Sequence, residues 1–290
     1  MSAPDPRREV VAYPLARDFL VVAGPDAGSY LQGQLSQDVE SMAPGDSAWS
    51  FALAPAGKVD AWFRISRREG DWVLDVDDGF GEALAGRLTR FLLRTDATIQ
   101  PAMWRGIAVR GPGAVAAGAG GAGFTADPAW PGIEGVDLLG PEVETPPGLA
   151  TGDAADLDAL RIECGVPVMG LELGQSTIPA ATGVVERSVS FTKGCFTGQE
   201  LAARINSRGG AAPTRLCGVV GAADHSLLPE ATLTVDGDDA GIVTSVSHSS
   251  WRNAPVALAY VKRAVEVPTE AEVDGEAGPE AVSLVRLPVE

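Results

Sequence analysis

The chain has 290 residues, 45% of them apolar, and carries 22 Lys plus Arg against 39 Asp plus Glu, a net charge of −17. That length supports about two domains and a core large enough to need neither disulfides nor a structural metal, and the apolar fraction excludes a disordered chain. The acidic balance sets the surface against phosphate backbones and anionic lipid, so neither direct nucleic-acid binding nor a membrane partner is expected.

The N-terminal segment MSAPDPRREV has no apolar centre, and no apolar run long enough to span a bilayer follows it. Three cysteines (Cys164, Cys195, Cys217) without a CxxC pair point to reduced thiols and a cytoplasmic protein. With His225 and His248 as the only histidines, no metal site is expected.

DFLVVAG (18–24) predicts a buried strand, and Ala27, Tyr30, Leu31 and Leu35 predict a helix within 25–37. AWSFALA and KVDAWFRIS, separated by PAG, predict an antiparallel hairpin whose second strand alternates Val59, Ala61, Phe63 and Ile65. WVLDV adds a strand, and Phe80, Leu84, Leu88 and Phe91 mark a second helix, closing an α/β unit at 1–95. A second unit, 96–212, opens with DATIQ and WRGIAVRG. Its Gly/Ala stretch 111–123 predicts a weak helix followed by a loop too small to pack well, and prolines 128 to 147 predict a turn-rich stretch. Asp153 then caps a helix that Gly165 and Pro167 stop, with Leu157, Leu160 and Cys164 on its apolar stripe. From 213 to 290, short β-rich runs broken by Gly, Asp and Asn predict a small barrel or sandwich.

The stretch with the most chemistry is FTKGCFTGQELAARINSRGG, 191–210. Thr197 and Glu200 have the spacing of a capping box, which would place Cys195 just outside the positive end of a helix. That field and the Lys193 cation would favour a thiolate, while Gly194 and Gly198 would allow close approach to the backbone. The same pieces suit an anion at the helix start with Arg204 and Arg208 beside it. A structural turn with an incidental cysteine remains equally open. A Cys-His hydrolase would need one of the two histidines within reach of the thiol, and both are expected in turn or surface roles of the β-rich tail.

FTKGCFTGQELAAR resembles the K-G-C-[YF]-x-G-Q-E signature of the YgfZ-type folate-binding proteins, and RIECGVPVMGLEL with TIPAATG resembles that family's R-x-E-x-G-x-P and I-P-x-A segments. VVAGPDAGSYLQGQLSQDV resembles its opening helix, and GIVTSVSHS with VALAYVKR its C-terminal barrel, so the likeness spans nearly the whole chain. It implies an α+β, three-domain cloverleaf of the aminomethyltransferase type with a C-terminal β-barrel. It further implies a factor for assembly or maintenance of iron–sulfur clusters in client enzymes, with tetrahydrofolate or a related folate in a central cavity and a cluster held at most transiently. Partners implied are client enzymes or assembly proteins and the folate itself. Cys195 would be the functional thiol with Lys193 beside it, and Gly194, Gly198, Gln199, Glu200, Arg204 and Arg208 would bind the cofactor.

The related aminomethyltransferases, the T-proteins, carry P-x-E where this chain has Pro179-Ala180-Ala181, and that glutamate contacts the pterin. Of their paired aspartates only Asp60 has a counterpart. Loss of these carboxylates removes groups that would hold the pterin's donors, so weak folate binding without efficient aminomethyl transfer is expected. A tetrahydrofolate-dependent one-carbon transferase and a non-catalytic folate-binding adaptor stand as alternatives.

Overall fold

A computed structural model of the chain describes residues 3–119, 121, 123–200, 212–275 and 278–290. Strand β1 (Val11–Leu15) and β2 (Arg17–Ala23) are separated by one residue and enter different sheets. One sheet has the order β3-β4-β5-β2-β6, formed with β3 (Ser47–Leu53), β4 (Val59–Arg67), β5 (Asp71–Asp77) and β6 (Thr98–Ala102). The other has the order β10-β1-β7-β9-β8, with β7 (Arg105–Arg110), β8 (Phe124–Ala126), β9 (Gly135–Gly140) and β10 (Ala150–Thr151). Helices α1 (Ala27–Gln34) and α2 (Gly81–Thr89) accompany the first sheet.

The sheets do not follow the sequence boundary at residue 95. β1 pairs with β7 from Val11↔Arg110 to Leu15↔Gly106, while β6 pairs with β2 from Phe19↔Ala102 to Ala23↔Thr98. Strand pairing is decided by partners far along the chain, which local periodicity does not report. The consequence for the site is direct: the chain crosses between sheets at Pro14–Arg17, and a cavity lies behind that crossing.

Two expectations are corrected. The proline-rich stretch contains β9, whose Val136 to Leu139 are all buried. Because both its faces are covered, it lacks the alternation that marks a half-buried strand. The Gly/Ala segment begins with the expected short helix, α3 (Ala114–Gly118), but the residues after it also pack on β9: a Cβ would sit 2.8 Å from Leu138 Cδ1 at Gly121 and 2.4 Å from Leu139 O at Gly123. Small residues here serve contact with the sheet.

Helix α4 (Ala154–Cys164) runs as expected, its N-terminus capped by Asp153 Oδ1 accepting from Asp156 N–H at 2.9 Å and its end turned by Gly165 at φ 71°. Its Leu160 and Cys164 join the first sheet's core, Leu157 packs with Val11 and Tyr13 of β1, and Ala159 and Ile162 pack on the C-terminal barrel. The barrel consists of β11 (Thr214–Val220), β12 (Thr232–Val235), β13 (Asp238–Ser249), β14 (Ala254–Lys262), β15 (Thr269–Gly275) and β16 (Gly278–Val285). It closes in the order β11-β14-β13-β12-β15-β16, with Cys217, Val219, Ala257 and Leu284 among its core. The α+β architecture ending in a β-barrel is thus present. Among the described residues, no helix is long and apolar enough to cross a membrane.

Candidate functional site

The end of α1 leaves carbonyls without helical partners, and Lys193 meets them. Its buried ammonium donates to Gln32 O at 2.6 Å, Leu35 O at 2.7 Å and Gln37 O at 2.8 Å, and lies 5.2 Å from the centre of the Phe196 ring. Burial draws the Lys193 pKa down to about 8, opposed by the nearby Asp38 and Glu40 carboxylates. The three donors of Lys193 face carbonyls of the first unit, and they fasten the loop to α1.

The rest of the loop is fastened by backbone. Ser190 N–H donates to Ser36 O at 2.9 Å and Thr197 N–H to Gly33 O at 3.2 Å. Gly198, at φ +81°, rests on the β3–β4 turn, where a Cβ would meet Ala54 O and Leu53 Cβ at 2.6 Å. This left-handed residue corrects the expected cap at Thr197, since a right-handed helix cannot pass through it. Helical structure begins at Gln199 and Glu200, and Gln199 reaches back so that its Oε1 accepts from Phe196 N–H at 3.3 Å. Gly194 has open space where a Cβ would stand. Arg204 and Arg208 lie outside the described residues.

Between the buried Lys193 and Phe196, Cys195 is exposed. The other two thiols are buried; burial pushes Cys164 up to about 12 and also raises Cys217. His225 Nδ1 accepts from Ala222 N–H at 3.1 Å within its own turn, and His248 is exposed on β13. Among the described residues, no group of three or more His, Cys, Asp or Glu is placed to hold a metal ion.

The loop shares its end of the first sheet with the other positions singled out by resemblance. Val59 N–H donates to Thr177 O at 3.3 Å and Lys58 Nζ to Ser176 O at 2.8 Å, so segment 176–181 docks where Gly198 also rests. Asp60 accepts from Arg87 Nε through Oδ2 at 2.9 Å, and Arg87 continues to Gln34 Oε1 and Leu53 O. Ala181 ends the 3-10 turn Pro179–Ala181 and lines a pocket of about 230 Å³ with Ile178, Thr214 and Tyr260.

A second constellation, absent from the sequence reading, fills the space between the two sheets. Arg64 of β4 forks onto Asp75 of β5 (Nε to Oδ2 2.9 Å, Nη2 to Oδ1 3.1 Å) and reaches across to Asp137 Oδ2 of β9 at 2.7 Å. Arg17 donates to Asp75 at 3.0 Å and to Asp77, while Arg110 Nη1 lies 2.8 Å from Asp137 Oδ1. Burial alone would raise the Asp137 pKa, but Arg110 and Arg64 outweigh it and hold the carboxyl below its ordinary value. Trp49 and Trp62 stack with centroids 4.0 Å apart at the same place. A cavity of about 180 Å³ bordered by these groups opens beside Pro14, Ala16 and Ala154. Single charges inside otherwise apolar runs, Arg64 in AWFRI, Asp75 in WVLDV and Asp137 in GVDLLG, were the signal in the sequence.

Comparison with known proteins bears on the fold. The glycine cleavage T-protein C-terminal barrel domain matches residues 215–289. A tRNA-modifying protein YgfZ of Edwardsiella ictaluri is 29% identical over 216 residues, covering 65% of this chain and 64% of that protein. An aminomethyltransferase of Streptomyces avermitilis is 34% identical over 153 residues, covering 51% of this chain and 40% of that protein. The crystal structure of the glycine cleavage system aminomethyltransferase T from Bartonella henselae superposes with a TM-score of 0.79 over 98% of this chain and 87% of that one, at 19% identity. The matched segments cover just under two thirds of the YgfZ protein's length and less than half of the Streptomyces protein's. The chain is thus similar in sequence to YgfZ proteins over about two thirds of its length, carries the match to the T-protein C-terminal barrel at 215–289, and shares the fold of an aminomethyltransferase.

Proposed function

We propose that this chain is a cytoplasmic folate-binding factor that assists assembly or maintenance of iron–sulfur clusters in client enzymes, with Cys195 as its working thiol. The observation that carries the reading is the contrast among the three cysteines: Cys164 and Cys217 are buried, whereas Cys195 is exposed between two anchored neighbours. Such a thiol can meet a partner's thiol or metal without unfolding anything. One cysteine is not a ligand set, so a cluster passing through this site would take its remaining ligands from a small thiol or from the client.

Folate is proposed for the end of the first sheet, near Asp60 and Ala181. Asp60 has one oxygen held by Arg87 and the other available to a pterin donor, and the pocket at Ala181 supplies backbone and hydroxyl acceptors but no carboxylate. That donor set suits weak binding and gives little to orient an aminomethyl adduct. The relatives' description as tRNA-modifying proteins suggests iron–sulfur enzymes of tRNA modification as clients. With a net charge of −17, this chain would reach such chemistry through the client rather than through the RNA.

Complementation tests the reading. Cells lacking this chain should recover iron–sulfur enzyme activity with the unaltered protein but not with Cys195→Ala, although both unfold at the same temperature. Calorimetry with tetrahydrofolate should show weak binding that Ala181→Glu tightens by roughly 10- to 150-fold, the value of one hydrogen bond to a charged group. Vigorous aminomethyl transfer, undiminished by Cys195→Ala, would assign the chain to the transferases instead.

A further inference from the structure

One cleft collects arginines that no carboxylate holds. It lies between α5 (Val185–Ser188), the end of α4 and the barrel, and has a volume of about 810 Å³. Arg187 enters its wall from α5, Arg215 from β11, Arg263 from just after β14 and Arg286 from just after β16. Among the described residues, Glu266 is the one acidic side chain on that wall. Elsewhere the protein pairs enclosed arginines with carboxylates, as at Arg17, Arg64 and Arg161. None of the four cleft arginines makes an ion pair among the described residues, and their fixed partners are main-chain carbonyls. Arg215 donates from Nη1 to Arg263 O at 3.0 Å and from Nη2 to Val265 O at 2.6 Å. Arg286 Nε donates to Val267 O at 2.8 Å and Arg187 Nη1 to Ala129 O at 2.5 Å. A carbonyl orients a guanidinium without neutralising it.

Four arginines against one glutamate leave three positive charges uncompensated, in a chain whose net charge is −17. Cations gathered in this way repel one another, and Arg187 bears the further cost of burial, which draws its pKa down to about 10. An anion in the cleft relieves both. The acidic surface around it repels anions in general, so the cleft is where attraction is concentrated. Arg263 and Arg286 are exposed, and among the described residues the Arg263 guanidinium and both Nη atoms of Arg286 have no hydrogen-bond partner. These donors come from separate elements and so from separate directions. A phosphate group offers oxygens in a tetrahedral array and carries up to two charges, whereas the two coplanar oxygens of a carboxylate are met by a single fork. A short run of phosphates therefore suits three positive charges on separate elements, and the volume is that of an ordinary small-molecule site.

From this arrangement we infer that the cleft binds a small polyphosphate, with the exposed Arg263 and Arg286 as its direct ligands and the more enclosed Arg187 and Arg215 adding charge. The inference does not depend on the folate or iron–sulfur reading proposed above.

Calorimetry of the full chain with inorganic triphosphate, free of divalent cations, should show saturable binding that weakens as salt rises. Inorganic monophosphate and citrate should each bind at least about tenfold more weakly. Adenosine triphosphate identifies the source: tighter binding than inorganic triphosphate means that the group arrives on a nucleotide, and equal or weaker binding that it is taken for itself. Arg263→Gln and Arg286→Gln should each weaken triphosphate by about tenfold, and Arg263→Gln, at an exposed position, should do so with the thermal midpoint unchanged. Arg90→Gln removes the same charge from an exposed position at the end of α2, outside the cleft, and should leave binding as it was. An absence of saturable binding, equal affinity for monophosphate or citrate, or an equal loss in Arg90→Gln would each overturn the proposal. Displacement of triphosphate by tetrahydrofolate would overturn it as well, by assigning the cleft to the carboxylate end of a folate.

Discussion

Lys193 shows how one side chain can set the position of another. An ammonium has three N–H donors in a tetrahedral array, and here three carbonyls from the end of α1 and the turn after it converge on them. Although burial draws its pKa down to about 8, the group is still mainly charged at neutral pH. Arginine cannot substitute, because its planar fork addresses two parallel acceptors and not three converging ones. Lys193→Met should cost about 1.5–3 kcal/mol in urea unfolding, the range for hydrogen bonds to a charged group, and Lys193→Arg should recover little of it. The test that separates this holding role from direct thiol activation is labelling of Cys195. In the native protein a thiol reagent should modify Cys195 first, with Cys164 and Cys217 reacting only on unfolding. Lys193→Met should make Cys195 labelling faster by loosening the loop; a slower reaction with unchanged stability would show that the cation had been activating the thiolate.

Among the elements, β4 carries the most opposed demands. Its Phe63 and Ile65 belong to the hydrophobic core, as their alternation indicates, yet Trp62 and Arg64 on the other face are also buried, Arg64 against Asp137 of the second sheet and Trp62 stacked on Trp49 with its Nε1 donating to Ser188 Oγ. The sequence made the strand legible through Val59, Ala61, Phe63 and Ile65, but the destination of Arg64 depends on Asp137, 73 residues away. Likewise Cys195 could be picked out from its motif, whereas the role of Lys193 depends on the carbonyls of α1 and the turn after it, 156 to 161 residues earlier. Long-range pairing is what a local pattern cannot contain. The pH dependence of the Arg64–Asp137–Arg110 network follows from the direction of the Asp137 shift. Its folded-state pKa lies below the ordinary carboxylate value of about 3.9, so its stabilisation is complete above that value and disappears as pH falls through the folded pKa. Thermal midpoints should therefore fall steeply as the pH drops below about 4, and Asp137→Asn should flatten that limb while lowering the midpoint at neutral pH. An Asp137→Asn profile parallel to the original throughout would place the acid sensitivity elsewhere.

For the whole molecule, the question is what joins the sheets to the barrel, and the R-x-E-x-G-x-P segment supplies the answer. Arg161 donates to Val166 O at 2.8 Å and turns the chain out of α4, while Gly165 at φ 71° packs against Leu287 from the C-terminal segment. Glu163 is fully buried and accepts from Arg7 Nη2 at 2.5 Å and Trp251 Nε1 at 3.1 Å, with Arg252 Nε at 3.0 Å; its own carbonyl accepts from Val289 N–H at 2.7 Å. One carboxylate thus ties the N-terminal segment, α4, the β13–β14 turn and the chain end. Glu172 repeats the arrangement farther on, accepting from Thr244 Oγ1 at 2.6 Å and Ser245 Oγ at 2.5 Å on β13 and from Val168 N–H at 3.0 Å. A buried carboxylate with cationic partners is costly to break, about 3–5 kcal/mol, because the partners are left as unpaired charges. Glu163→Ala should lose roughly that much, and Glu163→Gln less, since the amide oxygen still accepts from Trp251. The loss should also be local. Hydrogen exchange should quicken in β13, β14 and the C-terminal segment before it does in β3, β4 and β5, whose hydrogen bonds do not pass through Glu163. Equal loss of protection in all three sheets would mean that Glu163 supports the entire fold, and the idea of a staple between otherwise self-sufficient units would have to be given up.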